Sequence, residues 1–257
     1  MNREWLIIPE ISELQEYVKL AQEYNAAFEY NDFFDSSVYQ NEDEIKRRID
    51  IYKSIDRDRS RDTLHGPFID LVPASSDEVI RDRSRSLMEL AMDIAKDLGC
   101  RGVVFHTGLV GELRMERYLN HWVEEMTVYL MRLSKMNHGI SIYIENTFDK
   151  EPTALCRLMN NLPDYPDIKL CMDYSHAILT PYDIEDWVKD MAPHIGHMHI
   201  NDNNLINDLH MQIGAGNINF AEYAMLMERY KVNVPTLIEM NGIKKQRESL
   251  EYLRGLA

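Results

Sequence analysis

Short apolar runs alternate along the chain with longer stretches whose apolar residues recur every three to four positions. The runs are Trp5–Ile8, Ala26–Tyr30, Thr63–His65, Gly102–His106, Ile140–Glu145, Ile168–Asp173, Ile195–Ile200 and Thr236–Glu239. Between them the spacing predicts helices over Glu13–Tyr24, Glu42–Ser54, Asp77–Leu98, Met115–Asn137, Pro152–Asn161, Ile184–Met191, Phe220–Tyr230 and Gln246–Leu253. Ser75-Ser76-Asp77 supplies caps for the third of these, Gly99 ends it, Gly139 follows the fourth, and Pro152 suits a first helical position. Eight strand–helix units in 257 residues predict an α/β protein, a single (β/α)8 TIM barrel occupying residues 1–257 as one domain. A doubly wound open sheet would call for a Gly-rich loop after an early strand, and the sequence has none.

Composition narrows the class. With 45% hydrophobic and 28% charged residues the chain is globular and long enough to bury a large core, so disordered and fibrous readings drop out. The three cysteines, Cys100, Cys156 and Cys171, have no metal-motif spacing and imply no disulfide framework, which suggests a reducing, cytoplasmic setting. The N-terminus lacks an apolar stretch of signal-peptide length, and no run approaches a membrane span. A formal charge of −15 repels phosphate backbones and anionic membranes on average, although a local basic patch would suffice for nucleic acid. A hexamer occurs nearly twice, RDRSRD from Arg57 and RDRSRS from Arg81, and reads as mixed-charge surface. The methionines at 126, 131, 136, 225 and 227 read as core filler.

The chemistry lies at the strand ends. His65, His106, Glu145, Asp173, His199 and Glu239 each stand at or near the end of a predicted strand. A barrel gathers those ends around one mouth, where active sites of this fold are built. Alternation agrees: Val104, Tyr143, Cys171 and Leu237 lie two residues before His106, Glu145, Asp173 and Glu239, filling an inward layer beneath each polar tip. His176, Asp208 and His210 follow in the loops. Carboxylates with imidazoles and no thiolate suit a catalytic divalent ion such as Mn, Co, Fe or Zn. His197, two before His199, faces the same way one layer deeper and reads as a core histidine, whereas His121, His138 and His194 read as surface.

The segments LHGPF, VVFHTG, IYIENT, CMDYSHA, HMHINDN, DLHMQIGAGNI and LIEM resemble the xylose-isomerase-like barrel superfamily, which includes sugar isomerases and epimerases and the endonuclease IV branch of abasic-site nucleases. The resemblance spans nearly the whole chain. From the epimerases it implies one divalent metal held by Glu145, Asp173, His199 and Glu239. Glu145 and Glu239 would also be the catalytic pair that moves a proton through a cation-stabilised enediolate, and His176 a substrate contact. From the nuclease branch it implies three zinc ions held by His65, His106, Glu145, Asp173, His176, His199, Asp208, His210 and Glu239. Epimerases of the family usually carry an arginine after the metal histidine, where this chain has Asp208 and His210.

Charge in the loops bears on the choice. Basic residues there are Arg114, Lys150, Lys244 and Lys245, against acidic Glu10, Asp32, Asp35, Asp70, Glu112, Asp149, Glu151, Asp183 and Asp202. A rim of that sign is ill suited to duplex DNA, and it also disfavours a phosphorylated sugar. Gly214 and Gly216 could present amides to a phosphate but read rather as a tight turn. Aromatic Phe33, Phe34, Tyr39, Phe68, Phe148, Tyr174 and Tyr182 suit the walls of a polyhydroxy-ligand site, while Phe68-Ile69 could instead mimic a wedge into DNA. The sequence therefore predicts a metal-dependent isomerase or epimerase with one to three ions, acting on a small sugar or polyol ketone. The alternative is a trinuclear-zinc abasic-site phosphodiesterase. No membrane partner is expected, and the sequence leaves the oligomeric state open.

Overall fold

The computed structural model describes residues 3–68, 70–113, 115–136 and 139–256. The elements run β1 (Trp5–Ile7), α1 (Leu14–Tyr24), β2 (Ala27–Tyr30), α2 (Ser36–Tyr39), α3 (Glu42–Lys53), β3 (Thr63–His65), α4 (Glu78–Leu98), β4 (Gly102–His106) and α5 (Glu116–Met136). They continue β5 (Ser141–Glu145), α6 (Thr153–Asn160), β6 (Ile168–Asp173), α7 (Tyr174–Ala177), α8 (Ile184–Met191), β7 (Ile195–Ile200), α9 (Phe220–Arg229), β8 (Thr236–Ile238) and α10 (Ile243–Gly255). All eight strands are parallel and close into a barrel in sequence order, with β1 paired to β8. Among the described residues no helix is long and apolar enough to cross a membrane.

Side-chain alternation divides the core in two. Outward-facing Leu64, Val103, Phe105, Ile144, Leu170 and Met198 join the helices in one large buried cluster. Inward-facing residues form two small clusters, Leu6 with Ile8, Ala27 and Leu237, and Val104 with Tyr143 and Cys171. The two apolar clusters lie on opposite sides of the barrel, at β8, β1 and β2 and at β4, β5 and β6, and the interior also holds Glu29 on β2 and His197 on β7, both fully buried.

Local signals act as expected at several ends. The Asp77 carboxylate accepts from the amides of Val79 and Ile80, and Gly99 closes α4 in the left-handed conformation at φ 77°. α10 begins three residues before the predicted start, just after Gly242 at φ 94°. The two short helices α2 and α7 were not foreseen, because each is a single turn capped by one carboxylate, from Asp35 and Asp173 respectively.

Two surface and core readings are corrected. In the first hexamer copy Asp62 is fully buried, receives hydrogen bonds from Phe28 N and Tyr30 Oη, and is ion-paired to Arg57, which also covers the Phe28 ring. Of the methionines, Met126 and Met227 are core, but Met136 and Met225 are 56% and 48% exposed. Met225 lies off the helical stripe of Phe220, Tyr223, Leu226 and Met227, and Met136 closes the last turn of α5.

Gly102 is required by close approach. A Cβ there would lie 2.4 Å from Cε2 of Tyr143, whose ring stacks on His197 at 5.0 Å. Replacing Gly102 by Ala should destabilise the protein by about 1–3 kcal/mol through overpacking. Urea unfolding would measure it, and an unchanged midpoint would mean the Tyr143 ring yields freely.

Candidate functional site

Strand register builds the site. Glu145 on β5 lies directly opposite His106 on β4, and Asp173 on β6 directly opposite His199 on β7. Glu239 immediately follows β8 and His65 ends β3, so all six strand-end candidates meet at the C-terminal mouth. Glu145 is the centre: its Oε1 is 3.0 Å from His199 Nδ1, and its Oε2 is 3.4 Å from both His65 Nε2 and His106 Nε2. Glu239 Oε2 reaches the same His199 nitrogen at 3.6 Å. Asp173 caps α7 by accepting from the His176 amide, which leaves its second oxygen 3.4 Å from His176 Nδ1.

The loop candidates arrive too. Asp208 Oδ2 is 3.1 Å from His176 Nε2 and 2.9 Å from His210 Nε2. His210 adopts φ 44°, a left-handed conformation that costs about 1–3 kcal/mol in a residue other than glycine. The strain is held by a backbone bridge between Asp202 and Met211. Three ring nitrogens face carbonyls at the far side: His65 Nδ1 donates to Gly66 O at 3.0 Å, His176 Nδ1 to Asn146 O at 3.0 Å, and His210 Nδ1 to Glu239 O at 2.9 Å. Each of these aims Nε2 at the carboxylates, and in the neutral ring that nitrogen would be the bare one, the tautomer a metal ligand needs.

Electrostatics follow from burial and these contacts. Burial works against ionising Glu145, but the His199 and His106 imidazoles hold its carboxyl well below the usual range. Asp173 is pushed up to about 8 by burial and by the neighbouring Glu239 and Glu145. Burial opposes charging His176, yet Asp173 and Asp208 raise it well above normal, and Asp208 with Glu239 raises His210 to about 10.

The residues fit a divalent cation. Glu145 Oε2, Asp173 Oδ2 and Glu239 Oε2 are buried without a hydrogen-bond partner, three carboxylate oxygens from three strand ends. Ligand atoms converge in three sets: His65, Glu145, His199 and Glu239; Glu145, Asp173 and His176; and His176, Asp208 and His210. Asp173 thus stands with His176 rather than beside Glu239, and Glu145 and His176 each belong to two sets. A fourth grouping, Cys171 with His197 and His199, lies deeper, and burial pushes its thiol up.

The mouth opens on a cavity of about 640 Å³. Its walls carry the neutral hydrogen-bonding side chains Asn31, Thr147, Thr180 and Asn241 and the apolar Phe68, Phe148, Leu179, Ile206 and Met240. Lys150 is the single lysine or arginine among the described lining residues, and it is 3.4 Å from Glu112. Several loop readings change. Phe33, Phe34 and Tyr174 are buried in the outer core rather than in the cavity wall. Asp202, counted with the rim, is fully buried; its carboxylate takes the amides of Gly214, Gly216, Ile218 and Asn203. Those glycine amides are therefore already satisfied, and the segment is a turn. His121 is half-buried, with Nε2 against Ala74 O, and His194 is half-buried as well, so neither is freely exposed. His138, Ile69 and Arg114 lie outside the described residues.

The description "Xylose isomerase-like TIM barrel" belongs to a family whose profile matches residues 18–256. The chain belongs to this family. An uncharacterised protein of Methanocaldococcus jannaschii is 27% identical over 201 residues, covering 74% of this chain and 68% of the relative. A probable endonuclease 4 of Mycobacterium leprae is 25% identical over 205 residues, covering 74% and 77%. Among solved structures a D-tagatose 3-epimerase-like protein superposes with a TM-score of 0.77 at 23% identity, covering 98% of this chain and 96% of that one; the likeness is one of fold.

In this xylose isomerase-like barrel, sequence reasoning missed three residues at the site. Asn146 pins two strand ends together, donating to Asp173 O and accepting from Asp173 N. Glu29 lies beneath His199, where a carboxylate inside an otherwise apolar run was the available signal. Asp149, known from the sequence only as a rim charge, is a cavity-wall carboxyl that accepts from Thr107 Oγ1 and Thr147 N.

Burial pushes Asp149 from 3.8 up to about 6. The folded protein binds this proton more tightly than the unfolded chain, so the stability it contributes is complete below the unfolded value and is lost as pH rises through about 6. In chelated protein, Asp149→Asn should therefore gain on the wild type as the pH is raised, by about 1.4 kcal/mol between pH 5 and 8. The comparison is of unfolding free energies in urea at about pH 5 and 8. A pH-independent difference would sink this account.

Proposed function

We propose that this protein is a divalent-metal-dependent isomerase or epimerase acting on a small, unphosphorylated ketose or polyol ketone. The observation that carries the reading is the cavity wall: neutral amides and hydroxyls able to read sugar hydroxyls, apolar side chains between them, and one lysine already facing Glu112. A phosphate-bearing substrate would need free cations there. The fold likeness to a D-tagatose 3-epimerase-like protein supports the same choice.

Glu145, Asp173, His199 and Glu239 would hold the cation. When bound, that ion would supply positive charge against the oxyanion that forms as the carbon beside a carbonyl loses a proton. Glu145, kept ionised by its imidazole neighbours, is suited to take up that proton, and Glu239 to deliver one. His176, fixed by Asn146 O and Asp208, would contact a substrate hydroxyl.

Incubation with a panel of free ketoses and Mn²⁺ in heavy water should place solvent deuterium on the carbon beside the carbonyl, read by NMR. Glu145→Gln and Glu239→Gln should each slow exchange by at least about 100-fold. A turned-over sugar that keeps its original hydrogen would replace proton transfer by hydride shift.

A second reading, an abasic-site phosphodiesterase, is favoured by one observation: His176, Asp208 and His210 form a further ligand set, joined through His176 to the strand-end carboxylates, as a multinuclear centre would require. The probable endonuclease 4 relative points the same way. The sugar reading expects about one divalent ion per chain and no nicking of a duplex with one abasic site. About three zinc ions with salt-sensitive nicking would reverse the order of the two readings.

A further inference from the structure

The histidines of the site are oriented in two different ways. His65, His176 and His210 each give one ring N–H to a backbone carbonyl and turn the other nitrogen inward. His199 is reversed. Its Nδ1 faces the cluster, 3.0 Å from Glu145 and 3.6 Å from Glu239, and its Nε2 points down into the barrel. No carbonyl meets that nitrogen. Glu29 Oε1 stands 2.9 Å from it.

Glu29 is fully buried inside the barrel, one layer beneath the mouth, and is absent from the cavity lining. Its second oxygen is anchored twice, by Thr63 Oγ1 at 2.5 Å and by His197 Nε2 at 2.8 Å. That anchoring directs Oε1 at His199. The Oε1 contact is short but not collinear with the ring N–H, and neither atom has another hydrogen-bond partner. Two buried polar atoms 2.9 Å apart are placed to satisfy each other, with the Cys171 thiol also grouped against the His199 ring. Because Glu29 does not line the cavity, it is placed to act only through the rings it touches.

We propose that Glu29 is the positioning residue for His199: a buried carboxylate, oriented by Thr63 and His197, that fixes the His199 ring and keeps its Nδ1 bare toward a divalent cation. The inference rests on the reading of His199 as a metal ligand. A neutral imidazole offers a lone pair on one nitrogen only, so an acceptor at Nε2 decides which nitrogen can ligate. His197 becomes the anchor of the pair, which gives the first histidine of the HMH segment a purpose other than ligation.

The test is metal affinity of the whole protein, stripped with chelator and titrated with Mn²⁺ or Zn²⁺ against a chromophoric chelator. Glu29→Gln keeps the shape but loses the charge, and should weaken binding about 10–100-fold. A purely structural role would instead lower the unfolding midpoint of the metal-free protein and leave the affinity of the folded fraction unchanged. Should Glu29→Gln fail to fold, Glu29→Asp keeps a carboxylate inside the barrel but withdraws it from the two rings, and should weaken binding about 10-fold. A folded variant that binds within twofold of the wild type overturns the positioning role alone. A wild type that takes up no divalent ion overturns the metal reading, and this inference with it.

Discussion

Everything at the mouth of this barrel depends on one buried charge. Glu145 is inaccessible to solvent, and an isolated carboxylate there would be costly enough to neutralise itself. It stays ionised because three imidazoles from three other strands stand within 3.4 Å. Those imidazoles can be there only if β3, β4, β5 and β7 are held in one register, which barrel closure enforces. The carboxylates outnumber what the imidazoles can satisfy. Asp173 is pushed up to about 8, and three carboxylate oxygens have no partner. Such an arrangement is organised for cations that the chain itself does not supply.

Around that centre the protein combines a stiff base with a constructed loop. The base is the sheet, supported below by Glu29, Thr63 and His197 in a fully buried polar layer. The segment after β7 is longer and irregular, yet it is fixed at both ends by Asp202. Its backbone bridges Met211, and its carboxylate gathers four amides from the Gly214–Ile218 turn and its own neighbour Asn203. This bracing lets His210 persist at a positive φ and delivers Asp208 to His176. Rigidity of this kind is what a preorganised ligand set requires.

The cavity above then discriminates by what it lacks as much as by what it holds. Neutral hydrogen-bonding groups and apolar patches alternate on its walls, while positive charge is scarce among the described residues and already faces an acid. A nuclease and a sugar isomerase can share a floor of His, Asp and Glu. They differ in whether the walls must neutralise phosphates, and among the described lining residues Lys150 is the single lysine or arginine available for that. The additional His176–Asp208–His210 set keeps the multinuclear alternative physically meaningful.

Hydrophobic periodicity in the sequence determined the eight strands, the barrel they close and the strand ends that carry the candidate ligands, because each of these depends on spacing within one run. Local chemistry likewise determined the α4 caps and the Gly214–Gly216 turn. Tertiary structure alone decided matters that depend on which distant residue comes near. Asp62 reads as one charge in a mixed-charge hexamer, yet it is buried with Arg57 under Tyr30. Phe33 and Tyr174 read as cavity aromatics and pack into the outer core. Glu29 reads as a single polar residue in an apolar strand; it becomes the partner of His199, 170 positions away, only when β2 and β7 line the same closed barrel. Sequence spacing determines the face on which a side chain lies. Which group meets it across the barrel depends on closure and packing, which no single run encodes.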